Sequence, residues 1–213
     1  MAGTWVVVVA AGRSTRFGGP KLRQRLAGRA VLDWSMDAAA AAADGVVLVV
    51  AEGAERSHAR ATCVVAGSDT RSGSVRNGLA AVPTDAEVIV IHDAARPLAT
   101  PAMFAAAVAA VVQGADAAVC AVPVVDTLKR VDDAAVVETV PRAGLWAVQT
   151  PQAFRARALR AAHAGGAEAT DDAALIEAAG GRVVVVAGAA TNLKVTHPSD
   201  LAIAEALVGS LQR

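Results

Sequence analysis

The 213 residues suffice for one sizeable domain with a buried core that needs no disulfide or metal staple. Twenty basic residues balance twenty acidic ones, which excludes broad electrostatic attraction to nucleic acid or anionic membranes, so a phosphate site must be a local cluster. Aromatic residues make up 3% of the chain and tyrosine is absent, leaving little from which to build a base-stacking nucleic-acid platform.

The first predicted element is the apolar strand Val6–Val9. No basic region precedes it and it is short, so no signal peptide is expected. A helix over Val31–Ala43 follows, then strands at Val46–Val50 and Cys63–Val65. The pattern continues with a helix over Ser72–Val82, a strand at Val88–Ile91, a helix over Pro101–Gln113 and a strand at Ala117–Val122. Thr100 before Pro101 is a strong helix start, an N-cap followed by proline at the first helical position. Near-continuous apolar strands alternating with alanine-rich helices predict an α/β fold, Rossmann-like, with a mostly parallel sheet covered by helices on both faces.

After Pro123 the pattern changes. Val124–Arg130 and Ala135–Val140 read as polar-edged strands joined by Asp132 and Asp133, a β-hairpin projecting from the domain. Helices near Arg155–Ala164 and Asp171–Ala179, a strand at Val183–Val186 and a last helix over Ser199–Leu211 complete the expectation. No repeat or long linker divides the chain, so residues 1–213 are expected to form one domain with 123–146 as its arm. Asp44, Glu52 and Gly114 break the apolar runs short of membrane-spanning length, and a cytoplasmic protein is expected. Cys63 and Cys120 lie beside valines and read as buried free thiols, with neither a disulfide framework nor a zinc signature.

Four segments carry candidate chemistry. In Val6 to Lys21 a buried strand runs into a loop holding Gly12, Gly18 and Gly19, with Arg16 and Lys21 as cations. Glycines let backbone N–H groups approach phosphate oxygens at the carboxyl edge of a parallel sheet. The spacing matches neither phosphate fingerprint: Leu22, not Ser or Thr, follows the lysine, and G-x-G-x-x-G is absent. That excludes P-loop ATPases and dinucleotide oxidoreductases, and the run Ala10-Ala-Gly-x-Ser-x-Arg-x-Gly-x-Pro-Lys21 resembles the opening signature of sugar-nucleotide-type nucleotidyltransferases. Seventeen of the twenty basic residues are arginine, and Lys21, Lys129 and Lys194 are the three lysines. A compact ammonium and a planar guanidinium are not interchangeable at a tight phosphate site.

The second segment, Val88 to Pro97, ends its strand in Asp93, a carboxylate placed where metal–triphosphate chemistry needs one; His92 beside it reads as structural. The third, Gly67 to Val75, offers small and hydroxyl residues before a helix, a surface suited to reading a base edge. The fourth is a set: Asp126-Thr-Leu-Lys-Arg130, Pro141-Arg-Ala-Gly-Leu-Trp146, Gln149-Thr-Pro-Gln152 and Asn192-Leu-Lys-Val-Thr196. Each brings a hydroxyl or a cation near a strand end.

In their order along the chain, these motifs resemble the 2-C-methyl-D-erythritol 4-phosphate cytidylyltransferases of the non-mevalonate isoprenoid pathway. His92-Asp-Ala-Ala-Arg-Pro97 followed by Asp126-Thr-Leu-Lys-Arg130 is the distinctive pair, and all three lysines fall in matched segments. The resemblance implies that Ala10, Ala11 and Gly12 line the nucleotide site while Arg16 and Lys21 grip the triphosphate. It implies that Gly67, Ser68, Asp69 and Ser74 face cytosine and ribose, and that Asp93 lies near nucleotide and metal, Mg2+ by default. Arg96, Thr127, Arg142, Thr150 and Lys194 match positions that handle the acceptor phosphate. The arm of the family crosses to a partner subunit, so a homodimer is implied, with Thr127 and Arg142 acting in trans.

CTP and methylerythritol phosphate are thus the expected partners, with no nucleic acid and no membrane. The acceptor phosphate would attack the α-phosphorus of CTP directly and expel pyrophosphate, with Arg16, Lys21, Arg142 and Lys194 as the catalytic cations. Ribitol-5-phosphate cytidylyltransferase shares much of the pattern, and a nucleotide-binding module without catalysis is the alternative of another class. Ser14 and Ser68 stand where many members carry glycine; a serine forced to positive φ would cost about 1 kcal/mol.

Overall fold

The computed structural model describes residues 3–54 and 57–211. Its principal strands are β1 (Thr4–Ala10), β4 (Gly45–Val50), β5 (Cys63–Ala66), β6 (Val88–Asp93), β7 (Ala117–Pro123), β10 (Trp146–Arg155) and β11 (Val183–Ala187). Two small hairpins, β2 (Arg25–Leu26) with β3 (Arg29–Ala30) and β8 (Leu128–Asp132) with β9 (Ala135–Val140), lie outside that set. The helices are α1 (Val31–Ala40), α2 (Arg71–Ala81), α3 (Pro101–Val112), α4 (Ala156–Ala164), α5 (Asp172–Ala178) and α6 (Pro198–Leu211). The principal strands form one sheet in the order β11-β7-β10-β6-β1-β4-β5, parallel except for β10.

The alternation of side chains along each strand divides the core into two layers. On β1, Val6 and Val8 point to the side where Met36 of α1 and Phe104 of α3 pack. Val7 points to the other, against Val75 and Leu79 of α2, with Leu159 of α4 and Ile176 of α5 on the same face. Both faces are therefore dry, which is what the unbroken valine runs predict. Helix α2 comes close to the sheet because residue 78 is glycine: a Cβ there would lie 2.4 Å from Val7 Cγ1 and 2.9 Å from Val49 Cγ2. Its carboxyl end is held by Arg160, whose guanidinium donates to the carbonyls of Leu79, Val82 and Pro83 at 2.9, 3.0 and 3.0 Å. Such bonds satisfy carbonyls that a helix end leaves without partners. Among the described residues, no helix is long and apolar enough to cross a membrane.

Three expectations need correction. The sequence predicts no strand at Trp146–Arg155, yet β10 runs through the middle of the sheet, antiparallel to both β6 and β7. Gln149-Thr-Pro-Gln152 offers polar side chains and a proline, which cannot donate to a ladder. The sheet accommodates it with an irregularity: the β10–β7 register shifts between Val148 and Gln152, and Pro151 falls inside the shift. The hairpin arm is present but enters its ladder at Leu128, four residues later than expected. Its turn is formed by Asp133 and Ala134, at φ 42° and 65°, the paired left-handed conformation of a tight hairpin turn. Finally, Cys63 is only half-buried on the edge strand β5, whereas Cys120 is fully buried as expected.

Candidate active site

The carboxyl ends of β1 and β6, the loop from β5 into α2 and the segment after β11 meet at one edge of the sheet. They enclose a cleft of about 320 Å³. The loop after β1 supplies Ala10, Ala11, Gly12, Arg16 and Lys21 to its wall. Ser14 at φ 54° and Gly18 at φ 78° turn this loop back on itself, with the 3-10 turn Thr15–Phe17 between them. Serine at position 14 thus does occupy the left-handed region, at a cost of about 1 kcal/mol relative to glycine. Ser68 is not among the positive-φ residues and carries no such strain.

Lys21 Nζ donates to the Val195 carbonyl at 2.8 Å. Burial lowers the Lys21 pKa first, and the nearby Lys194 and Arg16 lower it further against the opposing pull of Asp93. Cations crowded in this way gain when a polyanion enters among them. On the opposite wall Ser68, Asp69 and Ser74 line the cleft. Ser74 Oγ accepts from the Ser68 amide at 3.0 Å and donates to the Thr70 carbonyl at 2.9 Å, so its hydroxyl shapes the loop. Gly67 joins the two walls. A Cβ at that position would stand 2.4 Å from Ala11 Cβ, so only a hydrogen fits. At the mouth, Arg13 and Asp69 form an exposed ion pair at 3.0 Å.

Asp93 ends β6 at the floor of the cleft. Lys194 Nζ lies 2.5 Å from its Oδ2 and Arg71 Nε lies 3.7 Å from Oδ1. Burial alone would raise its pKa, but Lys194 and Arg71 outweigh it and hold the carboxyl at about 2. The Asp93 amide donates to Thr150 Oγ1 at 3.0 Å, and the same hydroxyl lies 3.1 Å from His92 Nδ1. His92 is fully buried, 5.0 Å from the Phe104 ring centroid, and burial pushes its pKa down to about 4. It is a structural histidine. The segment carrying Lys194 is fixed from both sides: Asn192 Nδ2 donates to Gln149 Oε1 at 3.1 Å and to the Thr150 carbonyl at 2.9 Å, and the Val195 amide donates to the Ala95 carbonyl at 2.8 Å.

Ten of the residues expected at the site line this cleft, and five do not. Gly67 packs behind the wall as described. Thr150 is buried behind Asp93, with its hydroxyl engaged as above. Arg96 is half-buried and donates through Nη1 to the Asn192 carbonyl at 2.7 Å, bracing the Lys194 segment. Thr127 and Arg142 lie exposed at the root of the arm, where the Arg142 guanidinium donates to the Val125 carbonyl. Neither reaches the cleft wall within one chain.

Arg71 is a cleft residue that no sequence motif singles out. It is the first residue of α2, where the positive end of the helix dipole disfavours a cation. A basic residue at such a position signals a particular anionic partner, and here there are two, Asp93 and Asp172.

A magnesium ion fits this site only as a companion of bound phosphate. Asp93 and Asp69 are the carboxylates on the cleft wall, and no group of three or more His, Cys, Asp or Glu could hold a metal among the described residues. Magnesium commonly binds through one or two carboxylates plus substrate phosphates and water, so the ionised, buried Asp93 is the residue suited to hold it.

A family model described as IspD, 2-C-methyl-D-erythritol 4-phosphate cytidylyltransferase, matches residues 4–210. The chain is 47% identical to the bifunctional enzyme IspD/IspF of Desulforudis audaxviator, over 98% of this chain and 57% of that protein, so it spans just over half of that relative. It is 44% identical to the 2-C-methyl-D-erythritol 4-phosphate cytidylyltransferase of Deinococcus radiodurans, over 97% of this chain and 90% of the relative. Among solved structures, the Thermus thermophilus enzyme of the same name superposes with a TM-score of 0.83 at 37% identity, covering 95% of this chain and 98% of the other.

Proposed function

This chain belongs to the 2-C-methyl-D-erythritol 4-phosphate cytidylyltransferase family and is a nucleotidyltransferase that moves CMP from CTP to methylerythritol phosphate; we propose that it does so by direct in-line attack, as a cytoplasmic homodimer. One observation carries the mechanism. Arg16, Lys21 and Lys194 converge on a cleft whose floor is a buried, ionised Asp93.

An alkyl phosphate with a second pKa near ~6 is largely dianionic at neutral pH, so its oxygen needs no general base to attack the α-phosphorus. The barrier lies in bringing two polyanions together and in the charge that builds on the α-phosphate. Arg16 and Lys21 supply fixed positive charge on the triphosphate side. Lys194 supplies it where the acceptor approaches. Ala10, Ala11 and Gly12 let the backbone come close to the nucleotide, and Ser68, Asp69 and Ser74 face its base and ribose. Bound magnesium, held by Asp93, would neutralise and orient the phosphates.

Acceptor recognition is completed across a dimer in this reading, with Thr127 and Arg142 of one subunit reaching the cleft of the other. The arm supports it. Val131, Val136 and Val137 stand between 54% and 61% exposed on the two-stranded ribbon, to which no third strand pairs among the described residues, and Val125 and Trp146 at its foot are 75% and 45% exposed. Such ribbons are marginal alone, and exposed apolar surface of this kind marks an interface.

The direct test measures pyrophosphate released with methylerythritol phosphate and each of CTP, UTP, ATP and GTP, with ribitol 5-phosphate as the parallel acceptor. CTP with methylerythritol phosphate is expected to give the highest kcat/KM. A preference for ribitol 5-phosphate would overturn the acceptor assignment.

A further inference from the structure

Behind the cleft runs a chain of charged groups that the transfer mechanism leaves unused. Arg71 Nη1 lies 2.8 Å from Asp172 Oδ2, and Asp172 Oδ1 lies 3.0 Å from His163 Nε2. Asp172 and His163 are 1% and 3% exposed, so both are sealed in the layer between α2, α4 and α5. His163 Nδ1 is buried without a hydrogen-bond partner among the described residues. A bare ring nitrogen is tolerable there only as a lone pair, so Nε2 carries the proton and donates to Asp172.

A buried carboxylate is expensive unless it is paired, and Asp172 is paired twice. It is not the cap of α5: Asp171 does that, accepting from the Ala174 amide at 3.1 Å. Its second partner, Arg71, lines the cleft. The two distances from Arg71 to carboxylates differ in kind. At 2.8 Å its bond to Asp172 is a full charge-assisted hydrogen bond, whereas at 3.7 Å its Nε is beyond hydrogen-bond reach of Asp93. Lys194, at 2.5 Å, has Asp93 instead. Arg71 therefore has one carboxylate of its own and leaves the other to the lysine.

We propose that Asp172, oriented by His163, is a positioning residue for nucleotide binding: it tethers Arg71 at the cleft wall and keeps that guanidinium from competing with Lys194 for Asp93. Without the tether, Arg71 turns to the nearest remaining carboxylate, Asp93, and Lys194 is displaced from it. The chain of contacts thus links the helix layer on one face of the sheet to the charge distribution at the triphosphate site. His163 matters through the direction it gives to Asp172, and Asp172 through the place it gives to Arg71.

The inference rests on CTP being the nucleotide bound, and a double-mutant cycle separates it from that reading. Wild type, Asp172→Asn, Arg71→Ala and the double variant are assayed for both substrates, with circular dichroism to establish folding. Wild-type turnover with CTP tests the functional reading by itself. The expected result is a rise of tenfold or more in KM for CTP in Asp172→Asn, with a smaller rise in KM for methylerythritol phosphate, whose side of the cleft Lys194 serves. The same substitution placed on Arg71→Ala is expected to add less than twofold, because its target is gone. His163→Gln, which keeps a donor, is expected to fall between wild type and Asp172→Asn. Additive effects in the cycle, or equal losses for both substrates, would show that Asp172 only holds the fold together and would overturn the proposal. Should Asp172→Asn not fold, the cycle is run with His163→Gln in its place, with the same non-additivity expected and additivity again decisive against.

Discussion

Around the β1 loop, the charged groups of the cleft find one another inside a single chain: Lys194 meets Asp93, Arg13 meets Asp69, and Lys21 reaches the Val195 carbonyl. Around the arm the reverse holds. Residues 125–148 present five valines, a leucine and a tryptophan to solvent, and two of the expected acceptor residues, Thr127 and Arg142, face no cleft of their own. The nucleotide half of this enzyme is a property of the fold; in the proposed dimer, the acceptor half is a property of the assembly. A site divided this way tolerates different damage on its two sides.

The largest expected effect lies on the nucleotide side. Lys21→Ala should lower turnover by about 10²- to 10³-fold, the usual consequence of removing a preorganised charge from a developing phosphate anion, with the circular dichroism spectrum unchanged. Near wild-type turnover at saturating CTP would show that the cleft does not stabilise charge as argued.

The next test addresses the divide itself. Equal amounts of Lys21→Ala and Thr127→Ala protein, each inactive alone, are mixed under conditions of subunit exchange. If the arm serves the opposite cleft, half the dimers are mixed and one site in each is intact, so activity should recover to about one quarter of wild type. No recovery despite measured exchange would place the arm and its cleft in the same chain.

The smallest effect is on stability, and it separates two titrating groups. His92, with a folded pKa of about 4 against 6.5 unfolded, takes up its proton in the unfolded state first. Stability should therefore fall as pH drops from 6.5 toward 4, by at most about 1.4 kcal/mol per unit. His92→Gln should flatten that slope in urea unfolding. Asp93, with a folded pKa of about 2 against 3.8, acts lower: its contribution is full above 3.8 and is lost as pH falls toward 2. A slope between pH 6.5 and 4 that persisted in His92→Gln would assign the effect to another group.

The two halves are also unequally legible in the sequence. The sheet and helices on the nucleotide side can be read because β1, β4 and β6 are valine- and isoleucine-rich runs buried on both faces and each helix is bounded by small or capping residues. Asp93, Lys21 and Lys194 can be found because each sits beside a strand end or within a motif. Strand β10 cannot, because its central residues Gln149, Thr150 and Gln152 are buried polar side chains whose partners, Ala189, Asp93 and Asp171, lie far away in sequence. Arg71 is hidden among hydroxyl residues, and Asp172 behind Asp171, which looks like the cap and is. Thr150 is assigned to the substrate through its motif alone, which carries no information about whether a hydroxyl faces the cleft or the strand beside it.

Strand β10 carries one more consequence. It begins exposed at Trp146, at the foot of the arm, and four residues later, roughly 13 Å along, its Thr150 hydroxyl holds the amide of Asp93. Side chains on a strand alternate between faces, so the number of residues between those two points sets which face Thr150 presents. Removing or adding a single residue among 147–149 would turn the threonine away from the Asp93 amide while leaving every charged group in the protein. Substitutions at 147 and 148 should be absorbed far better than changes of length, whereas Gln149, which holds Asn192 and Ala189, is constrained in kind as well as in place.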